Sequence, residues 1–257
     1  MIGFFIKKSF FDGWDHLFTV MLLNLGFIAA AAIGMVLPGA FGLSDPAAGV
    51  FIAVSLAAAS VWFSTCIYAL KDVSDFGSFR LRDLGAHLKH GLLPGLQVGA
   101  FAIACYFILS IGLPFYISLG GIIGALAAGV VFWCSIVLIL ALQYYIPLRA
   151  RLGGGLRKNL RKSFIVFFDN PGFSLFLFLY GAVNLALSLC LAFLIPGFAG
   201  LALAENVALR LRLFKYDWLE EHPGESRRAI PWDELLEEDR ELVGKRTLKG
   251  MFFPWKE

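Results

Sequence analysis

Long apolar runs separated by short polar segments dominate the pattern of this chain. Several runs reach the ~20 residues that a helix needs to cross a hydrocarbon core about 30 Å thick. The pattern therefore predicts an all-α polytopic membrane protein with about six transmembrane helices, arranged as three helical hairpins with interfacial amphipathic helices. The spans are predicted at residues 17–37, 47–70, 92–113, 120–146, 173–195 and 197–213.

Two polar segments between the spans also show helical spacing. Leucines recur through residues 71–91, and from Leu156 to Phe168 every fourth residue is apolar, with basic residues between them. This arrangement predicts amphipathic helices that lie at the membrane interface. The basic residues of the second segment are predicted to contact anionic lipid headgroups. They are Arg157, Lys158, Arg161 and Lys162.

Prolines set the predicted ends of several spans. Pro114 is expected to end the third span and Pro147 the fourth, because proline removes a backbone donor and clashes with the preceding helical turn. Asn170 is expected to cap the fifth span, with Pro171 in its first turn. The sixth span follows a Pro-Gly break and is only ~25 Å long, which is marginal for a full crossing. A re-entrant hairpin is the alternative.

The distribution of charge predicts the orientation. Residues 1–213 carry 14 Lys/Arg against 8 Asp/Glu, and residues 214–257 carry 8 against 11. With six spans and a cytoplasmic N-terminus, all 22 Lys/Arg lie on the cytoplasmic side, as the positive-inside rule favours. We therefore expect a multi-pass inner-membrane protein with both termini in the cytoplasm. A re-entrant sixth segment that enters from the cytoplasm satisfies the same rule.

Two regions follow from this pattern, a transmembrane domain over residues 1–213 and a cytoplasmic acidic tail over 214–257. Within the tail, residues 231–243 are predicted to form a short helix that stops at Gly244. The aromatic end, LKGMFFPWKE (248–257), is too short to span a membrane. It could lie at the interface, fold back on the cytoplasmic loops or dock a partner.

Small residues recur at four-residue spacing in two spans. In lipid, such stripes allow the close backbone approach on which helix association depends. They could pack within this chain or form a contact with a second copy, so a homo-oligomer is one expectation for partners. The stripes are Gly26, Ala30 and Gly34 in the first span, and Gly121, Ala125 and Gly129 in the fourth.

Glu205 is the only ionisable residue deep inside an apolar run. A carboxylate in the membrane interior costs several kcal/mol unless it is paired, protonated or hydrated. One interpretation is therefore a site that binds a proton, a cation or a solute. The alternative is a structural pairing with a cytoplasmic arginine such as Arg149 or Arg210, or a position at the interface in a tilted helix. The other members of the candidate intramembrane polar site are Asn206, Asn184 and Asn24.

No catalytic or cofactor-binding motif in this sequence is specific enough to indicate a site. The membrane region offers one deep carboxylate and no nucleophile–base pair, so we expect no enzymatic activity. The glycines at 153–155 lack the Gly-Lys-Ser/Thr ending of a phosphate-binding loop. The four cysteines lie singly in apolar runs, without CxxC spacing. We therefore expect no cofactor, no metal and no nucleic-acid partner.

Three stretches together resemble the YesL-like family of bacterial polytopic membrane proteins of unknown function. They are LLNLGFIAA (22–30), LRDLGAHLKHGLLPG (81–95), and RKSFIVFFDNPG with the hairpin that follows it (161–200). The resemblance rests on the order and character of the spans and covers most of residues 1–213. It implies a small membrane protein associated with carbohydrate uptake, and it implies no site residues.

The sequence thus favours an accessory or membrane component of a small-solute transport system, with carbohydrate as one candidate solute. Its partners would be a bilayer with anionic headgroups and other transporter subunits. One alternative is a solute-binding membrane subunit like those of energy-coupling-factor transporters. The other is a membrane scaffold that recruits a cytoplasmic partner through its tail.

Overall fold

The computed structural model describes residues 1–42, 44–225, 227 and 230–246, and of residues 45 and 46 the backbone only. Helices form all the regular structure of these residues, and no strand occurs among them, which confirms the all-α class. The elements are α1 (Ile2–Asp15), α2 (Leu17–Met35), α3 (Leu37–Ala40), α4 (Asp45–Ser74), a 3-10 turn (Leu81–Asp83), α5 (Leu84–Phe107), a π segment (Ile108–Gly112), α6 (Leu113–Ser118), α7 (Gly121–Leu142), α8 (Tyr145–Leu152), α9 (Leu156–Asp169), α10 (Pro171–Cys190), α11 (Gly197–Glu221), α12 (Trp232–Leu235) and α13 (Glu237–Val243).

Five stretches are long and apolar enough to cross a membrane, which supports the polytopic class. Each overlaps one of the first five predicted spans. The sixth prediction, 197–213, falls on α11, which is helical from Gly197 as expected but is not among the five. That helix runs on to Glu221 and carries several charged side chains along its length. The five stretches are Leu17–Met35, Ala47–Ser74, Leu81–Ser118, Gly121–Leu152 and Pro171–Cys190.

Helix α2 packs against α4 through its small residues. A Cβ atom added to Gly26 would lie 2.1 Å from the indole of Trp62, and one added to Gly34 would lie 2.8 Å from Ser55. The indole Nε1 of Trp62 also donates to the carbonyl of Leu23 at 2.7 Å. The small residues of the first span therefore serve packing within this chain.

The stripe on α7 faces outward instead. Gly121 and Ala125 are exposed, and a Cβ atom added to Gly121 or Gly129 would have nothing within 4 Å. Large apolar neighbours such as Ile122 and Ile123 are more than three-quarters exposed. This face of α7 is therefore free of packing within the described chain, and a bilayer would cover it with lipid.

Some helices pack more closely against a helix of another predicted hairpin than against their own hairpin partner. Helix α5 approaches α4 through Gly91, Gly95 and Gly99, and a Cβ atom added to Gly95 would lie 2.5 Å from the Cα atom of Val61. Since that neighbour is backbone, any side chain at position 95 would push the two helices apart. The second and third spans thus pack closely although they belong to different predicted hairpins. Helix α7 packs mainly on the π segment, α6 and α9.

The third span is longer than predicted, and its predicted ends are wrong. No break separates the amphipathic segment from the span: α5 begins at Leu84 and continues through Pro94. Pro114 does not end the helix either, because it follows the π segment and occupies the first turn of α6. In a π segment the backbone hydrogen bonds run to the fifth residue along the chain and not to the fourth. The first turn of a helix leaves its backbone N–H groups without intrahelical partners, so a proline there removes no helical hydrogen bond.

The fourth span also differs at its C-terminal end. Helix α7 ends at Leu142 and not at Pro147, and Pro147 lies inside the next helix, α8. Pro147 is the third residue of α8, where the first helical turn leaves backbone N–H groups unpaired, so it is accommodated there. A turn at residues 143–144 therefore separates the two helices, and α8 carries Arg149 and Arg151 toward the end of α4.

Helix α11 occupies the centre of the fold. Every residue from Ala202 to Leu209 is buried, and the helix packs against α1, α2, α4, α8 and α10. Its N-terminal end is held by Asn24, which lies in the first half of α2. Since α2 continues eleven residues beyond Asn24, or about 16 Å, the turn between α10 and α11 stops well short of the C-terminal end of α2.

The described part of the tail folds back on the bundle. The predicted helix at 231–243 appears as two short helices, α12 and α13, separated by a turn at Leu236, and Gly244 ends the second with a φ of 75°. Leu236 and Val243 are buried in the same core as α11. The predicted aromatic end at 248–257 lies outside the described residues.

Candidate functional site

Glu205 lines a cavity between the spans. The side chains at 201 and 205 are one helical turn apart, so α11 presents both to the same side. The cavity has a volume of about 320 Å³ and is lined by residues of α4, α5, α7, α8, α10 and α11. Its wall includes Phe63, Gln143, Phe178, Ala182, Leu201 and Glu205. The site is thus built from residues that are far apart in sequence.

The carboxyl group of Glu205 has no ion-pair or hydrogen-bond partner among the described residues, although the residue is only 6% exposed. Both arginines considered as partners are engaged elsewhere. Arg149 donates to Gln97 at 2.7 Å and to Tyr145. Arg210 binds Asp75 and Asp239. The structural pairing expected from the sequence therefore does not form.

Apart from Glu205, the cavity offers one strongly polar side chain. The amide nitrogen of Gln143 donates to the carbonyl oxygens of Leu140 and Ser174, at 3.0 and 3.2 Å. Two phenylalanine rings and aliphatic side chains form most of the remaining wall. On the α10 side, Phe178 is 44% exposed and Ala182 is exposed, so this flank of the cavity lies at the outer surface of the bundle.

Asn24 has a structural position away from this cavity. Its Nδ2 donates to the carbonyls of Leu194 and Pro196, at 2.9 and 2.8 Å, and its Oδ1 accepts from the backbone N–H of Ala199 at 2.9 Å. Three hydrogen bonds thus tie α2 to the turn between α10 and α11. Asn24 holds the start of α11 and does not face Glu205's cavity.

Asn206 and Asn184 are not brought to Glu205 either. Asn206 is fully buried and donates to the carbonyl of Ile67 at 3.0 Å, so it points toward α4. Asn184 donates to the carbonyl of Tyr180 and lines a second cavity of about 450 Å³, beside Ser9. The four residues of the candidate polar site therefore occupy four different places.

An ion-pair network at one end of the bundle was not predicted. Asp75 accepts from Arg151 at 2.8 Å and from Arg210 at 2.7 Å, and Arg210 also binds Asp239 at 2.8 Å. Burial opposes ionisation of Asp75, but the two guanidinium groups outweigh it, so the pKa of Asp75 lies below its usual value. The network joins the end of α4 to α8, α11 and α13. No local sequence pattern reveals pairs this far apart.

A second group of buried cations lies near the start of α10. Asn170 is at the cap position, but its side chain does not cap the helix as predicted. Its Oδ1 accepts instead from Arg212 at 2.8 Å and from Lys215 at 3.0 Å. The guanidinium of Arg212 also lies 3.9 Å from the centre of the Phe173 ring. These contacts fasten α11 to α10 about two to three helical turns beyond Glu205.

The basic residues predicted to contact lipid lie on α9. Arg157, Lys158 and Arg161 are exposed, Lys162 is half-buried, and none of the four has an ion-pair partner among the described residues. Exposed apolar side chains, Ile165 and Phe168, lie on the same helix. The helix is therefore amphipathic as predicted, with uncompensated positive charge on its polar side.

Comparison with known proteins gives no relative. No protein-family model matches this chain. No curated protein and no solved structure matches it. The function proposed below is therefore supported by the residues of the chain and their geometry.

Proposed function

We propose that this protein is a non-enzymatic, multi-pass inner-membrane protein that acts as a membrane component of a small-solute transport system. The cavity beside Glu205 is its solute-binding site. One observation carries this proposal: a carboxyl group that has no partner among the described residues faces a cavity between long apolar helices. Its volume, about 320 Å³, lies at the small end of the range found for ligand pockets.

The energetic argument favours a binding role over a structural one. A buried carboxylate that stabilises a fold is expected to have a cation or several donors beside it. Glu205 has neither within the described chain, while Arg149 and Arg210 use their guanidinium groups on other residues. A side chain that destabilises the empty protein in this way is typical of a binding site.

The proposed topology has both termini on the cytoplasmic side. The network of Asp75, Arg151, Arg210 and Asp239 marks that side, because α4, α8, α11 and α13 all bring charged residues to it. The hydrogen bonds from Asn24 place the start of α11 within the depth of α2. Helices α10 and α11 then form a re-entrant hairpin that enters and leaves on the cytoplasmic side, so that four spans cross: α2, α4, the α5–α6 stretch and α7.

Membership of the YesL-like family is a narrower form of this proposal, and carbohydrate, which that resemblance implies, is one of the solute classes that the proposal leaves open. Contact with anionic lipid is the second part, and it is supported by the four uncompensated basic residues of α9. Each basic residue near an anionic surface contributes about 1 kcal/mol. The partners are thus the bilayer and the other subunits of the transport system.

Uptake in cells tests the proposal. Cells that lack the protein are complemented with the wild type, with Glu205→Gln or with Glu220→Gln, and accumulation of a panel of labelled sugars, amino acids and amines is measured. Glu220 is a matched control, since it is exposed on the same helix. We expect the wild type and Glu220→Gln to restore uptake of the same solute and Glu205→Gln to lower it at least tenfold. Equal uptake by Glu205→Gln, at equal amounts in the membrane, would refute the proposal.

A further inference from the structure

We propose that the cavity beside Glu205 binds a small organic ammonium cation with an apolar body, which enters from the lipid side. This inference rests on the proposed transport function and assigns the class of solute. It is argued from the charge of the site, from the composition of its walls and from its position at the surface of the bundle.

The charge of the site calls for a cation. Among the residues that the structure describes, Glu205 is the one ionisable side chain in the cavity wall. The nearest cation along α11, Arg210, is five residues or about 7.5 Å away and is held by Asp75 and Asp239. An ionised Glu205 therefore lacks a counter-ion within the described part of the chain, and a bound cation supplies one.

The walls fit an organic cation better than a metal ion. Hard metal cations take six to eight oxygen ligands, and the side chains here provide oxygen only from Glu205 and Gln143. The remaining side chains of the described wall are apolar. An ammonium group needs one carboxylate, and its hydrocarbon part is solvated by the apolar wall.

Two aromatic rings strengthen the case for an ammonium group. Phe63 from α4 and Phe178 from α10 both line the cavity. The faces of aromatic rings attract ammonium groups, by ~0.5–1 kcal/mol at exposed sites and by more where water is excluded. A neutral sugar gains nothing from this attraction and needs hydrogen-bonding groups that these walls lack.

The position of the cavity indicates entry from lipid. Phe178 and Ala182 lie on the exposed side of α10, next to lipid-facing residues such as Leu179. An amphiphilic amine concentrates in the bilayer, with its apolar body at this depth. It can reach Glu205 past Ala182 without crossing the charged end of the bundle.

Direct binding tests the inference. Full-length protein in lipid nanodiscs is titrated with labelled hexylammonium, and binding to empty nanodiscs is subtracted. Hexanol and hexanoate serve as neutral and anionic probes of the same length. We expect saturable binding of hexylammonium to the wild type and to Glu220→Gln, at least tenfold weaker binding to Glu205→Gln, and no saturable binding of the other two probes.

A second variant keeps the test decisive if Glu205→Gln does not fold. Ala182→Trp changes an exposed position at the flank of the cavity and leaves the carboxyl group in place, so we expect it to fold and to weaken hexylammonium binding at least fivefold. Unchanged binding in both variants, or no saturable binding to the wild type, overturns the inference. Uptake that depends on Glu205 without ammonium binding would overturn it and leave the proposed function standing. Ammonium binding that depends on Glu205, together with uptake that does not depend on it, would refute the proposed function and leave the ammonium site standing.

Discussion

Glu205 and Arg210 lie five residues apart on α11, yet Glu205 faces a cavity with no partner in the described part of the chain, whereas Arg210 is held by two carboxylates, Asp75 and Asp239, at 2.7 and 2.8 Å. Arg210, the cation nearest to Glu205 along α11, is therefore held away from the carboxyl group of Glu205. The same helix joins the cavity to the ion-pair network and to the tail.

The ion-pair network predicts a dependence of stability on pH. The pKa of Asp75 is lowered in the folded protein, so its contribution is complete above about pH 4, the ordinary value for the unfolded chain, and is lost as the pH falls through the folded value. We expect Asp75→Asn to lower the Tm in detergent at pH 7 and to flatten its fall between pH 5 and pH 3. Asp72→Asn is the control, since its carboxylate is half exposed and lies 3.6 Å from Lys71. Identical pH profiles for Asp75→Asn and the wild type would contradict this role.

Asn24 is predicted to matter for stability and not for binding. Asn24→Ala removes three hydrogen bonds and leaves the N–H of Ala199 and the carbonyl of Leu194 unpaired in the interior, at a cost of about 2–4 kcal/mol, while the carbonyl of Pro196 keeps its bond from the N–H of Gly200. Asn184→Ala removes one bond within its own helix and should cost less than about 1 kcal/mol. Denaturant unfolding of the two variants in detergent measures the difference. A similar cost for both would show that the turn between α10 and α11 does not depend on Asn24.

The two glycine stripes predict opposite responses to a methyl group. Gly26→Ala places a Cβ atom on the Trp62 indole and should destabilise the protein by about 1–3 kcal/mol through overpacking. Gly129→Ala meets nothing within 4 Å and should change the free energy of unfolding by less than about 0.5 kcal/mol. Thermal unfolding of both variants separates these outcomes. Strong destabilisation by Gly129→Ala would indicate that a second copy packs on α7.

The basic face of α9 predicts a preference for anionic lipid. Replacing Arg157, Lys158, Arg161 and Lys162 by glutamine should remove most of the anionic lipid that co-purifies with the protein, because about 1 kcal/mol per residue is lost. Native mass spectrometry of protein extracted from mixed neutral and anionic lipid measures this. Glutamine at Arg80, Arg82 and Lys89 is a comparison set at the start of α5. An unchanged lipid ratio for the α9 variant would exclude α9 as the lipid contact.

The sequence predicts the helices of this protein better than their packing. The apolar runs locate the five stretches that are long and apolar enough to cross a membrane, and Pro171 and Gly197 mark the starts of α10 and α11. Pro114 and Pro147 mislead, since a proline in a first helical turn starts a helix as readily as a proline elsewhere ends one. Asn170 misleads because Arg212 and Lys215, more than forty residues later, take its side-chain oxygen.

The candidate site could be predicted only in part, because the sequence shows which residues are unusual and does not show their distant partners. Glu205 stands out because any carboxylate in an apolar run is costly. Its lack of a partner could not be foreseen, since it depends on Arg149 binding Gln97 and on Arg210 binding Asp75. The hydrogen bonds of Asn24 join residues about 170 positions apart, and no local pattern encodes such a contact.

The most direct test of the central claim is chemical modification of Glu205. A membrane-permeant carbodiimide reacts with protonated carboxyl groups in apolar surroundings, and mass spectrometry of the digested protein locates the adduct. If Glu205 is unpaired and open to a cavity, it is modified in membranes, hexylammonium slows the reaction, and Glu205→Gln shows no adduct at this position. An unmodified Glu205 in protein that is otherwise accessible to the reagent would contradict the account.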